Sequence, residues 1–176
     1  MSAARDPEVQ ALLDKQALRE LALRYARGID RRDRGLLLSV YHPDAMDDHG
    51  EMFRGSPERF ADWQPEVMGP FEVTAHYIMN SDYCIDGDEA EGELYFIAFH
   101  RVKPPEAAEF WVGGRYLDRY QRRDGGWKIA HRRLVWDFVH QGGENAEAVA
   151  FLRGLGVCGS GEDDLSYGFL PRLAAR

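Results

Sequence analysis

The second half of the chain carries four strand-like runs closed by two glycine turns, a series that few soluble folds accommodate. The runs are Phe71 to Ile85, Glu91 to Val102, Phe110 to Arg122 and Trp127 to Val139, each rich in β-branched and aromatic residues. Asp86-Gly87-Asp88 joins the first two and Asp124-Gly125-Gly126 the last two, pairs that adopt the positive φ of tight hairpin turns. Lys103 to Glu109, with two prolines, is the longer middle connection. An antiparallel meander is predicted.

Helices precede it. From Pro7 to Ile29 the residues Leu18, Leu21, Ala22, Tyr25 and Ile29 recur at three- and four-residue steps, the stripe of an amphipathic helix. A second, short helix is expected from Arg34 to Tyr41, with Asp33 as its cap and Pro43 ending it. A hairpin-like segment then runs through Gly50 and Phe53 to Gly55. Ser56-Pro57-Glu58 starts a third helix whose apolar face is Phe60, Trp63 and Val67, and Gly69-Pro70 closes it. Helices first and a meander after is an α+β pattern, with the helices packed on one face of a curved, mostly antiparallel sheet.

The chain has 176 residues, enough for one well-buried core and short for two. Residues 1–140 read as the main body; residues 141–176 read as a C-terminal helix over Asn145 to Arg153 and a flexible tail of the same domain. Tyr167, Phe169 and Leu170 suggest that the tail docks, over a pocket mouth or on a neighbour. In the last strand, Arg132, Leu134, Trp136 and Phe138 are expected on one face and Trp127, Ile129 and Val135 on the other. Helices cover only one face, so the other is expected to meet a second copy of the chain, as a dimer or trimer.

The formal charge of −8 disfavours nucleic acid and anionic membrane surfaces. No run of about 18 apolar residues spans a bilayer, and the first ten residues lack a secretory pattern. A cytoplasmic location follows as the expectation. Cys84 and Cys158 form no CxxC pair, which fits a reducing compartment and argues against a thiolate metal site.

Two residues break local rules in a way that suggests chemistry. Gly28 late in a helix costs about 1 kcal/mol against alanine, and Asp30 at a helix C-terminus opposes the dipole by roughly 0.3–1 kcal/mol. His76, in the middle of Phe71 to Asp86, shares a strand face with Thr74, Ile78 and Asn80. A carboxylate reaching that imidazole makes it a base held by an orienter. The ordinary alternatives are a cap for Asp30, a satisfied core histidine at 76 and a core aromatic at Tyr25. His42 and Asp44 read as turn-fixing residues. Asp47-Asp48-His49 reads as a solvated hairpin rather than a metal site. His131 and His140 are not candidates.

Together, T-A-H-Y-I-M-N at residues 74–80 and G-G-R-Y-L-D-R-Y-Q-R-R-D-G-G-W-K-I-A-H-R-R at residues 113–133, after short helices, resemble the SnoaL-like branch of the nuclear transport factor 2-like superfamily. The resemblance covers roughly Val9 to His140 and implies a cone-shaped α+β barrel around a deep pocket. It also implies a histidine on the strand after the third helix, paired with an aspartate ending the first, places held here by His76 and Asp30. Tyr25 stands where a dehydratase member has a tyrosine, Arg132 where a dehydrochlorinase has an arginine, and His100 where scytalone dehydratase has a second pocket histidine. Asp47 stands in the place of a dehydrochlorinase tryptophan, which argues against the same chlorinated substrate.

The activity implied is that of a cofactor-independent lyase or isomerase acting on a small, apolar, cyclic molecule, with no metal. His76, Asp30, Tyr25 and Arg132 are the expected catalytic set; one of Arg132 and Arg133 is expected to make only a surface or interface ion pair. His100, Asp47, Trp136 and Trp63 are the expected substrate-binding set. Two readings stay open beside this one: a non-catalytic ligand binder, and a partner subunit of a larger oxidoreductase.

Overall fold

Helix α1 spans Pro7–Asp30 and opens on Asp6, whose carboxylate accepts the Glu8 N–H at 2.8 Å. The computed structural model describes residues 6–106, 108–142 and 168–174. Leu18, Leu21, Ala22, Tyr25 and Ile29 form the buried stripe of α1; complete burial of each leucine or isoleucine is worth roughly 1.5–3 kcal/mol. Asp14, also buried, accepts from Trp127 Nε1 at 2.9 Å and from Arg122 at 3.0 Å, which ties α1 to the sheet.

Helix α2 (Arg34–Ser39) is capped by Asp33, which accepts the Leu36 N–H at 2.9 Å. It ends two residues before the predicted Tyr41, because Tyr41–Asp48 is already strand β1. The costly Gly28 is explained here: a Cβ on it would stand 3.0 Å from the Leu37 backbone nitrogen, so glycine lets the end of α1 touch α2. Strand β2 (Arg54–Gly55) pairs antiparallel with β1, and α3 (Pro57–Met68) follows with Ser56 as its cap.

The meander comprises β3 (Phe71–Asp86), β4 (Glu89–Val102), β5 (Glu109–Arg123) and β6 (Gly126–Gln141). The sheet order is β2-β1-β6-β5-β4-β3, with β1 parallel to β6 and every other pairing antiparallel. The predicted α+β class with helices on a mostly antiparallel sheet is the observed one. The parallel β1–β6 pairing is an addition.

Bulges correct four face assignments, those of Trp127, Ile129, Phe138 and Asn80. In β6 the register shifts at Ala130 and again at Asp137, so Trp127 and Ile129 lie inside with Arg132, Leu134 and Trp136, while Phe138 turns outward. In β3 the register shifts between Ile78 and Ser81, so Asn80 leaves the face that carries Thr74, His76 and Ile78. An extra residue reverses alternation from that point on.

The outer face is partly covered by the chain's own tail. Leu170 buries against Leu117 and Val135, while Arg119 donates to the Phe169 carbonyl at 2.7 Å. The short helix α4 (Pro171–Ala174) brings Arg172 to Glu89 at 2.7 Å. The described tail therefore docks on the back of its own sheet, away from the cavity-lining residues. Tyr77, Trp111 and Phe138 stay exposed on that face, at 53%, 39% and 47%. The helix expected over Asn145 to Arg153, and Cys158, lie outside the described residues. Among the described residues no helix is long and apolar enough to cross a membrane.

Candidate functional site

Between the helices and the inner face of the sheet lies a cavity of about 330 Å³, walled mainly by Ile29, Phe60, Trp63, Phe71, Phe96 and Leu134. Its size is at the lower end of small-molecule pockets, roughly 300–1,000 Å³. Against the apolar lining stand three imidazoles, His49, His76 and His100, with the rings of Tyr25 and Tyr116.

His76 is placed by the edge of the sheet. It stands opposite Ala98 on β4, and among the described residues β3 has no strand on its other side, so its backbone N–H points at α1. Asp30, the last residue of α1, accepts that N–H at 2.8 Å through Oδ2 and meets ring Nδ1 at 2.7 Å through Oδ1. Burial pushes the Asp30 carboxyl up, but the hydrogen bonds and charge of His76 outweigh it and hold it below the ordinary carboxylate range. An ionised Asp30 accepts the Nδ1 proton, which leaves the Nε2 lone pair free. Nε2 has no hydrogen bond among the described residues, so a substrate in the cavity can reach a base backed by a carboxylate.

His100 lies diagonally across the β3–β4 ladder from His76, with ring centroids 5.7 Å apart. Phe71 and Phe110 sandwich it at 4.9 and 5.0 Å, and its Nδ1 has no hydrogen-bond partner among the described residues. Burial, with the His76 charge assisting, pulls its pKa down to about 3. His100 is therefore a neutral polar group. An unfolded imidazole takes up its proton near pH 6.5 and the folded one only near 3, so the unfolded chain holds the extra proton in between. Stability is expected to be level above pH 6.5 and to fall toward pH 3, by up to roughly 4 kcal/mol. Asp30 adds a loss only lower, as the pH drops through its own depressed range. Urea titrations of His100→Phe should show the limb between pH 6.5 and 4 flattened; a limb unchanged from the parent would refute this assignment.

Arg132 departs from the expected role. It is wholly buried and bidentate to Asp118, at 2.8 and 2.6 Å, between the faces of Tyr25 and Tyr116, each 4.2 Å away. It lies behind the tyrosines and does not line the cavity. Asp47 is also set back: wholly buried, it accepts from the Tyr41 hydroxyl and stands 2.8 Å from His49 Nε2. Trp136 packs in the core beside Gly114 rather than lining the cavity. Tyr25, Trp63, His76 and His100 line it, with Asp30 directly behind His76.

His49, Tyr116 and Gln64 line the cavity without a signal in the sequence. The sequence pattern reads His49 as part of a solvated hairpin, yet it is 5% exposed and its ring lies 4.9 Å from Phe60. The Asp-Asp-His-Gly run resembles a surface turn, and only the fold of α3 over it makes it interior. Tyr116 and Gln64 had no distinguishing local pattern. Among the described residues no group of three or more His, Cys, Asp or Glu is placed to hold a metal ion.

A six-stranded mixed sheet closed by helices over an apolar cavity, with a histidine–aspartate pair at its wall, defines an α+β pocket protein. Residues 10–133 match the SnoaL-like domain, and the chain belongs to the SnoaL-like family. An uncharacterised protein of Mycobacterium tuberculosis is 27% identical over 126 residues, 70% of this chain and 86% of that protein. Among solved structures, a hexachlorocyclohexane dehydrochlorinase from Novosphingobium barchaimii superposes with a TM-score of 0.72 at 20% identity, over 78% of this chain and 96% of that one. A proposed scytalone dehydratase from Novosphingobium aromaticivorans gives 0.67 at 19%, over 77% and 92%. At such identities the likeness is one of fold.

Proposed function

We propose that this protein is a cofactor-independent lyase or isomerase that removes a proton next to an activating carbonyl of a small, largely apolar, cyclic molecule. The observation that carries the reading is the Nδ1–Oδ1 contact of 2.7 Å between His76 and Asp30, with His76 at the cavity wall. His76 takes the proton, and Asp30 stabilises the imidazolium formed. The apolar walls strengthen that ion pair and accept a compact ring. Tyr25 and His100 contact the substrate; Arg132 and Asp47 act behind them, through Tyr25 and His49, and Trp63 supplies apolar surface. Fold relatives that include a dehydrochlorinase support an elimination reaction. Exposed Tyr77, Trp111 and Phe138 support self-association through the back of the sheet.

The test separates a catalyst from a binder. Cyclohexanone in D2O, followed by NMR, reads proton abstraction directly as α-deuterium exchange. The protein should accelerate exchange, and His76→Gln should abolish it while affinity for cyclohexanone stays within a few-fold. Binding without exchange in the parent protein would favour the ligand-binder reading instead.

A further inference from the structure

The turn that follows α1 reaches the Asp30–His76 pair from behind. Arg32 in that turn adopts φ 56°, in the left-handed region where glycine usually ends a helix and arginine is uncommon. Its side chain folds back across the corner where α1, α3 and β3 meet. Nη1 donates to the Ile29 carbonyl at 2.7 Å and to Thr74 Oγ1 at 2.9 Å, and Nη2 donates to the Met68 carbonyl at 3.2 Å. Ile29 and Met68 line the cavity. The arginine itself is exposed, but the threonine it reaches is only 5% exposed and stands two residues before His76 on β3.

These contacts converge on both members of the pair. The Ile29 carbonyl belongs to the planar peptide group that joins Ile29 to Asp30, so holding it fixes the direction in which Asp30 leaves the helix. It accepts from the Arg32 backbone N–H at 3.2 Å, from Arg32 Nη1 at 2.7 Å and from Gln64 Nε2 at 3.1 Å. On the strand side, a guanidinium only donates, so Thr74 Oγ1 accepts from it and keeps its own proton to give. Burial raises the Asp30 carboxyl, whereas the His76 contacts and a hydrogen bond from the Thr74 hydroxyl lower it. Helix α1 and strand β3 share no backbone hydrogen bond among the described residues, so side chains set the distance between them.

We propose that Arg32, acting through Thr74 and the Ile29 carbonyl, is a positioning residue that keeps the Asp30 carboxylate in line with the His76 ring. Its consequence for turnover rests on the base assigned to His76. A helix cap would need only the contacts to the Ile29 and Met68 carbonyls; the contact to Thr74 extends the hold to the strand that carries the imidazole.

The test uses the whole chain with two variants. Arg32→Gly suits the left-handed turn and removes the side chain; Thr74→Val keeps a β-branched strand residue and removes the hydroxyl. Two readouts are taken on the folded proteins: the proton NMR resonance of His76 Nδ1–H, assigned by its loss in His76→Gln, and kcat and KM for α-deuterium exchange of cyclohexanone. Both variants should lose the resonance to exchange with water, and kcat should fall about 10-fold or more while KM stays within a few-fold. Either variant keeping the parent's resonance, or keeping its kcat, would overturn the inference whatever its melting temperature, and so would a parent without the resonance. A parent that shows the resonance but no deuterium exchange would overturn the base at His76 alone, and the resonance of the variants then decides for or against Arg32.

Discussion

Replacing Arg132 by methionine while Asp118 stays is expected to destabilise the fold by about 3–5 kcal/mol, the largest single effect we foresee. The carboxylate left behind is wholly buried, and the tyrosine faces at 4.2 Å on either side of the guanidinium lose their cation. Desolvation pushes the arginine to lose its proton, but the Asp118 charge and hydrogen bonds outweigh it and raise its pKa far above the ordinary value, so the charge persists at any working pH. Replacing both partners, Arg132→Met with Asp118→Leu, should recover most of the loss. The remainder reflects the Tyr120 hydroxyl, which donates to Asp118 at 2.6 Å and would be left unsatisfied at about 1–3 kcal/mol. Urea unfolding of the two single variants and the double measures this directly. An Arg132→Met variant as stable as the parent would mean that the pair is solvated.

The second large effect concerns catalysis. Asp30→Asn should lower α-deuterium exchange of cyclohexanone by roughly 10²–10⁴-fold, the usual range for a general base. An asparagine oxygen can still accept the His76 backbone N–H, but it offers no charge to an imidazolium. Groups that act as one unit lose their effect together, so Asp30→Asn combined with His76→Gln should be no slower than His76→Gln alone. Additive losses would mean that Asp30 acts on the substrate independently of His76. A merely capping Asp30 would lower the melting temperature and leave exchange in place.

Asp30 was legible because a carboxylate at the last position of α1 violates local preference, and His76 because strand alternation puts it on a mixed polar and apolar face; the contact at 2.7 Å joins the two. His49 violated nothing. An aspartate pair followed by histidine and glycine is ordinary turn composition, and its burial comes from Phe60 closing over it. Arg132 erred the other way: its motif placed it at a pocket, and Tyr25 and Tyr116 stand in between.

What the amino-acid order determined alone was whatever depends on near neighbours: helix caps at Asp6, Asp33 and Ser56, glycine turns at 87 and 125, and the alternation that directs His76 inward. Only the tertiary structure decided which strands hold bulges, that β1 joins β6 in parallel, and that the tail lies on the back of the sheet. The physical reason is range. Caps, turns and alternation are settled within a few residues of backbone, whereas a bulge, a parallel partner or a buried charge is chosen by the packing of segments far apart along the chain.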